Sequence, residues 1–260
     1  MSLSCIEEML MKFINVNFEL NNRMTSNTKV VIKLSGEVFL NSKSKGKDDR
    51  LRRIKEISEL LDSLNRTGHK IIAVAGGSAI AREYIEIGRK FKADEATLDQ
   101  IGIQASRLNA RILTISCKES DPRIIDDLDE IVSIANSGKI VITGGLFPGQ
   151  STNAVAALIA EKFKADILIN TTSVEKIHSS DPKRKNVKNK KLVKYDNIHV
   201  DELEKILKQN NTRAGTYELF DLNALQIIKR SSIKCRIIKC TPNNISKAIK
   251  NENVGTQIEY

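Results

Sequence analysis

Residues 139–161, KIVITGGLFPGQSTNAVAALIAE, place a strand, a turn and a helix start in succession with no room for a conventional loop. Ile140, Val141 and Ile142 are an apolar run suited to a buried strand. Gly144, Gly145, Pro148 and Gly149 impose a turn, and Ser151 and Thr152 stand where an N-cap is needed before an alanine-rich helix. The first-turn N–H groups of such a helix have no intrahelical partners, and the helix dipole adds roughly half a positive charge there. A strand opening directly onto a helix N-terminus therefore suits an anion, although one such turn is also an ordinary strand-to-helix connection. Recurrence narrows the choice: VVIKLSG at 30–36 and IIAVAGG at 71–77 repeat the design of an apolar run breaking into glycine.

The rest of the chain alternates in the same way. Leu51, Ile54, Ile57, Leu61 and Leu64 give a helical stripe that ends before Gly68. Ile80, Tyr84, Ile87 and Phe91 give a second, and Leu98, Ile101, Ala105, Leu108 and Ile112 a third. Residues 121–138 are short and acidic and lead back to the strand at 140–142. ADILIN at 165–170 reads as a strand opening onto Thr171, Thr172 and Ser173. Residues 201–207 and 221–228 read as helices, 233–239 and 255–258 as strands, with a helix at 243–250 between them. This alternation predicts an α/β fold, a mainly parallel central sheet covered by helices on both faces, with ligands at the carboxyl ends of its strands.

Single residues carry open alternatives. Lys33, inside an apolar strand, either reaches an anion at the strand end or faces solvent from an edge strand. Arg82 is placed to clamp phosphate or to lie exposed on its helix. Asp99 reads equally as a first-turn acid favoured by the helix dipole, and Asp221 is a good N-cap.

A length of 260 residues is compatible with one large α/β domain or with two fused lobes. Cys5, Cys117, Cys235 and Cys240 are scattered without CxxC spacing, which points to reduced thiols in a cytoplasmic protein. The net charge of +10 raises nucleic acid as a partner, but aromatic residues are only 4% and tryptophan is absent, so stacking platforms are scarce and no nucleic acid is expected. The basic run at 183–194 reads first as a solvated loop, second as a phosphate-steering element and third as a nucleic-acid contact. No stretch is long and apolar enough for a membrane span, and residues 1–28 make a poor signal peptide. With Met24 just ahead of the first strand, those residues are either an appendage or an upstream addition to the natural start.

In the order in which they occur, KLSGE at 33–37, GGSAIAR at 76–82, LDQIGIQASRLNAR at 98–111, TGGLFPGQSTNAVAA at 143–157, ADILINTTSVEKIHSSDP at 165–182 and AGTYELFDLNALQIIKRS at 214–231 resemble the segments of the amino acid kinase superfamily. Within it the similarity is to the UMP kinases of archaeal and bacterial type, over about 29–260. The resemblance implies a three-layer αβα sandwich forming a single domain, with an acceptor-binding part at about 29–165 and an ATP-binding part at about 166–260. It implies transfer of the ATP γ-phosphoryl to UMP with Mg2+, and a homohexamer. Other acceptors served by the same superfamily (a carboxylate, carbamate or isopentenyl phosphate) and a non-catalytic nucleotide-binding regulator are the alternatives.

Matched residue by residue, the resemblance makes Lys33 and Asp221 catalytic. It places Lys33, Leu34, Ser35, Gly36, Glu37, Ser78, Arg82, Thr172, Ser173, His178 and Asp181 at ATP. Gly77, Asp99, Leu146, Phe147, Pro148, Gly149, Gln150, Ser151 and Thr152 fall at UMP, and Gly76 joins the phosphate cradle. No protein side chain is assigned to the metal. The sequence departs from the family pattern at Ser78, usually a third glycine, at Asn153, usually an acid, at Glu175-Lys176, usually Asp-Gly, at His178 for an aromatic residue and at Leu222 for a frequent proline.

Overall fold

Lys29–Leu34, rich in β-branched side chains, forms β1, an interior strand of a seven-stranded sheet. The other strands are β2 (Lys70–Ala75), β3 (Val141–Thr143), β4 (Ile167–Thr172), β5 (Asn197–His199), β6 (Cys235–Lys239) and β7 (Thr256–Glu259). Their order across the sheet is β3-β2-β1-β4-β6-β7-β5. Every pairing is parallel except that of β6 with β7. These elements come from a computed structural model that describes residues 28–40, 48–179, 193–210 and 220–260. The N-terminal extension, Asp181, most of the basic run and the segment around Gly215 lie outside the described residues.

Eight helices connect the strands among the described residues: α1 (Asp48–Arg66), α2 (Ser78–Lys90), α3 (Glu95–Ser116), α4 (Leu128–Asn136), α5 (Thr152–Phe163), α6 (Val200–Asn210), α7 (Leu222–Ser231) and α8 (Pro242–Ile249). They cover both faces of the sheet. Successive residues of a strand point to opposite faces, and the core divides accordingly. Val31, Ile72, Val74, Val141 and Leu168 pack against α4, α5, α6 and α7. Val30, Ile32, Leu34, Ile71, Ala73, Ile142 and Ile169 pack against α1, α3 and α8 on the other side.

Three details differ from the sequence reading. The strand expected at 165–170 lies two residues later, so Thr171 and Thr172 belong to β4. β5, only three residues long and at the sheet edge, left no periodic signal. The apolar periods of α2 and α3 do not all face the core: Tyr84, Ile87, Phe91, Leu108, Ile112 and Ile115 are exposed and form an outer face on the α2–α3 pair.

Candidate active site

β1 is the strand from which the chain winds in both directions, with β2 and β3 on one side and β4 and β6 on the other. A crevice at the carboxyl ends of the strands is expected at such a switch point. Lys33 is the penultimate residue of β1, in register with Val74 of β2 and Asn170 of β4, and only 9% exposed. The edge-strand alternative is thereby excluded, because Lys33 is flanked by a strand on each side. Being two residues from Val31, it shares the sheet face covered by α5.

Above that face, two helix N-termini come together. Ser151 caps α5, its Oγ accepting from Asn153 N and Ala154 N at 3.1 Å each. Asp221 caps α7, its Oδ1 accepting from Ala224 N at 2.9 Å, while its Oδ2 accepts the Ser151 hydroxyl proton. Both expected caps are present, and the structure adds the bond between them. Thr152 is the first residue of α5 rather than its cap.

The turns after β1 and β2 interlock beside Lys33. Gly76 N donates to Leu34 O at 3.0 Å, and Ser35 N donates to Thr171 Oγ1 at 2.8 Å, tying the ends of β1, β2 and β4 together. A Cβ on Gly36 would lie 2.5 Å from both Cα and N of Ser78, so only glycine fits. Ser78 itself has φ +67°, the left-handed region that favours glycine. Serine therefore stands here in a backbone conformation that glycine adopts more readily. Gly77 directly precedes it, Glu37 is exposed in the short 3₁₀ turn Gly36–Phe39, and Arg82 is exposed one turn into α2.

The turn from Gly144 to Gln150 lies against α3. Asp99 is in the second turn of that helix. Asp94 is the N-cap and Glu95 the first-turn acid, so the dipole reading of Asp99 gives way to a contact: its Oδ2 accepts from Gly149 N at 2.6 Å. Leu146 is buried, whereas Phe147, Pro148 and Gly149 are exposed at the tip, with Gln150 half-buried behind them.

The side chains assigned to the ATP end are less concentrated. Thr172 Oγ1 donates to Val174 O at 3.0 Å and accepts from Val174 N at 3.2 Å, so its hydroxyl closes the turn after β4. Ser173 is exposed. His178 pairs with Lys194 in an isolated β-bridge, where burial and then the Lys194 charge lower its imidazole pKa. Lys176 is ion-paired with Asp196.

Sequence reasoning missed three residues of α3 that position these turns. Ser106 Oγ accepts from Gly145 N at 2.7 Å, Arg107 donates to the carbonyls of Gly145 and Leu146, and Asn109 Nδ2 donates to Gly76 O at 2.7 Å. Their signal was slight: Ser106 and Asn109 are polar residues three apart in a helix that carries polar residues on several sides, and only their burial beside Ile103, Ala110 and Leu113 marks them. Cys240, one of the four scattered thiols, meets Ser35 and Thr171. Burial raises its pKa, so the thiol stays protonated.

A buried lysine, two helix N-termini and three interlocked turns at the ends of parallel strands form an α/β site built to take up anions. The sequence model of the amino acid kinase family matches residues 28–239. The chain belongs to this family. The uridylate kinase of Archaeoglobus fulgidus is 39% identical over 230 residues, covering 88% of this chain and 99% of that one. The uridylate kinase of Methanobrevibacter smithii is 37% identical over 232 residues, covering 88% and 98%. The crystal structure of the A. fulgidus uridylate kinase superposes with a TM-score of 0.76 at 38% identity, covering 89% of this chain and all of that one. The UMP kinase structure from Ureaplasma parvum, at 19% identity and a TM-score of 0.71, shares the fold and covers 91% of this chain.

Proposed function

We propose that this protein is a UMP kinase, transferring the γ-phosphoryl of ATP to the phosphate of UMP to give UDP and ADP in pyrimidine nucleotide synthesis. The observation that carries this reading is the position of Lys33. It lies at the end of β1 on the face beneath the N-termini of α5 and α7, whose caps Ser151 and Asp221 are bonded to one another. Phosphoryl transfer of this kind needs alignment of two phosphates and neutralisation of charge, and no covalent intermediate. UMP phosphate is already an anionic nucleophile, so no general base is required. Lys33 meets the charge that spreads over the transferring oxygens. Asp221, fixed by Ala224 N and Ser151, orients the groups at the two helix starts.

UMP as acceptor is supported by the names of the relatives and by the α3-held turn, with Asp99, Leu146, Phe147, Pro148, Gly149, Gln150, Ser151, Thr152 and Gly77 around it. ATP lies over Leu34, Ser35, Gly36, Glu37, Ser78 and Arg82, towards Thr172, Ser173, His178 and Asp181. Among the described residues no three His, Cys, Asp or Glu side chains cluster so as to hold a metal ion. Magnesium would arrive carried on ATP phosphates and water, the ion's usual manner of binding in kinases. Bound there, it neutralises phosphate charge. No described helix is long and apolar enough to cross a membrane. We place the protein in the cytoplasm as a homohexamer, and the apolar face of α2 and α3 supports self-association.

The test is ADP release from magnesium ATP with UMP, CMP, acetylglutamate, carbamate and isopentenyl phosphate as acceptors. Turnover with UMP well above the others is expected. Turnover with a different acceptor refutes the substrate, and nucleotide binding without turnover refutes the enzyme.

A further inference from the structure

The acceptor turn is attached to α3 at two places. At its tip, Asp99 accepts from Gly149 N at 2.6 Å. At its root, Arg107 Nε donates to Gly145 O at 3.0 Å and Nη2 to Leu146 O at 3.4 Å, while Ser106 Oγ accepts from Gly145 N at 2.7 Å. The third arm of the guanidinium, Nη1, donates to Asp126 at 2.9 Å, in the segment between α3 and α4. The root is tightly seated: a Cβ on Gly144 would lie 2.6 Å from Ser106 Oγ and 2.7 Å from Arg107 N. Tip and root differ in chemistry. The tip is held by one carboxylate oxygen on an exposed amide, whereas the root is held by a planar fork spanning two successive carbonyls, a geometry lysine cannot reproduce.

From this arrangement, and resting on the assignment of UMP to the turn, we infer that Arg107, oriented by Asp126, is a positioning residue for the acceptor. It anchors the root of the turn while Asp99 exchanges the Gly149 amide for the acceptor. An acceptor that engages Asp99 removes the tip attachment. Without Arg107 the turn would then depend on Ser106 alone among these side-chain contacts, and its exposed tip residues, Phe147 and Pro148, would lose their place over the ligand. Asp126 is 61% exposed, so its contribution is to the direction of the guanidinium more than to the strength of the attachment.

The experiment compares Arg107→Ala, Arg107→Lys and Asp126→Asn by two readouts. The first is amide hydrogen exchange of 143–150 in the unliganded protein, which is independent of any substrate. The second is initial rate with UMP varied at saturating ATP, and ATP varied at saturating UMP. Arg107→Ala is expected to speed exchange within 143–150 without speeding it in β1 or β4. It should raise KM for UMP about tenfold and leave kcat and KM for ATP within about twofold. Arg107→Lys should restore part of the loss, and Asp126→Asn should cost about two- to threefold in KM for UMP. Unchanged exchange in 143–150, or equal rises in both KM values, overturns the inference. If the wild-type protein does not turn over UMP, the proposed function fails, and the exchange comparison still decides whether Arg107 anchors the turn.

Discussion

Replacing Lys33 with methionine removes one charge while keeping an unbranched chain of similar length in the strand. Lys33 is 9% exposed and flanked by β2 and β4, so its ammonium acts where water screens poorly. At about 4 Å and an effective dielectric constant near 20, a unit charge is worth about 4 kcal/mol. With each ~1.36 kcal/mol a factor of ten, kcat should fall about 10³-fold. In the proposed role the charge acts mainly on oxygens that gain negative character during transfer, so KM for UMP should change by no more than roughly threefold. The assay is coupled ADP release across a UMP titration, with the melting curve and circular dichroism of Lys33→Met recorded beside the wild type. A kcat within roughly tenfold of wild type in a normally folded variant refutes the assignment. A raised KM with unchanged kcat would make Lys33 a binding residue only.

Ser151→Ala removes the cap of α5 and the hydroxyl that meets Asp221. It should lower stability by about 1 kcal/mol in urea unfolding, and it should lower kcat more than Ser151→Thr does, because threonine retains both functions. Ser78 has a left-handed backbone, so Ser78→Val should cost about 2 kcal/mol while Ser78→Gly leaves the melting temperature no lower than wild type. Asp62 is buried and accepts from Cys117 Sγ, Lys118 N and Glu119 N, pinning α1 to the end of α3. Burial pushes its carboxyl upward, and the thiol and the two amides outweigh this, so its folded pKa lies below the ordinary value. The stability it contributes is present above the unfolded pKa of about 4 and is lost as pH falls through the folded value. Asp62→Asn should therefore cost about 2 kcal/mol near neutrality, and its melting curve should begin to approach that of wild type only as pH falls below about 4.

Local chemistry made most of the elements legible. The runs at 30–34, 71–75 and 140–142 read as buried strands, being short, apolar and closely followed by glycine, and the strands lie there to within a residue. Ser151 and Asp221 were legible as N-caps, because a side-chain oxygen ahead of an apolar helix meets its own unpartnered amides whatever the rest of the fold does. β5 was not legible: three residues at a sheet edge have no period to show. Nor did the apolar stripe of α2 reveal its direction, since Tyr84, Ile87 and Phe91 keep helical spacing whether they face a core or an outer surface.

The sequence by itself determined the strand-glycine-helix units and the residue types at their junctions, because propensity, capping and turn formation act over a few neighbouring residues. Only the tertiary structure decided that Lys33 is central, that Asp99 serves the turn 50 residues away, and that Ser151 and Asp221 share a proton donor and acceptor across 70 residues. It also decided that Arg107 holds the carbonyls of Gly145 and Leu146 at the root of the turn after β3. Those facts depend on strand order and helix packing, which arise from burying two sheet faces at once, and no local pattern along the chain encodes which distant backbone a polar side chain will meet.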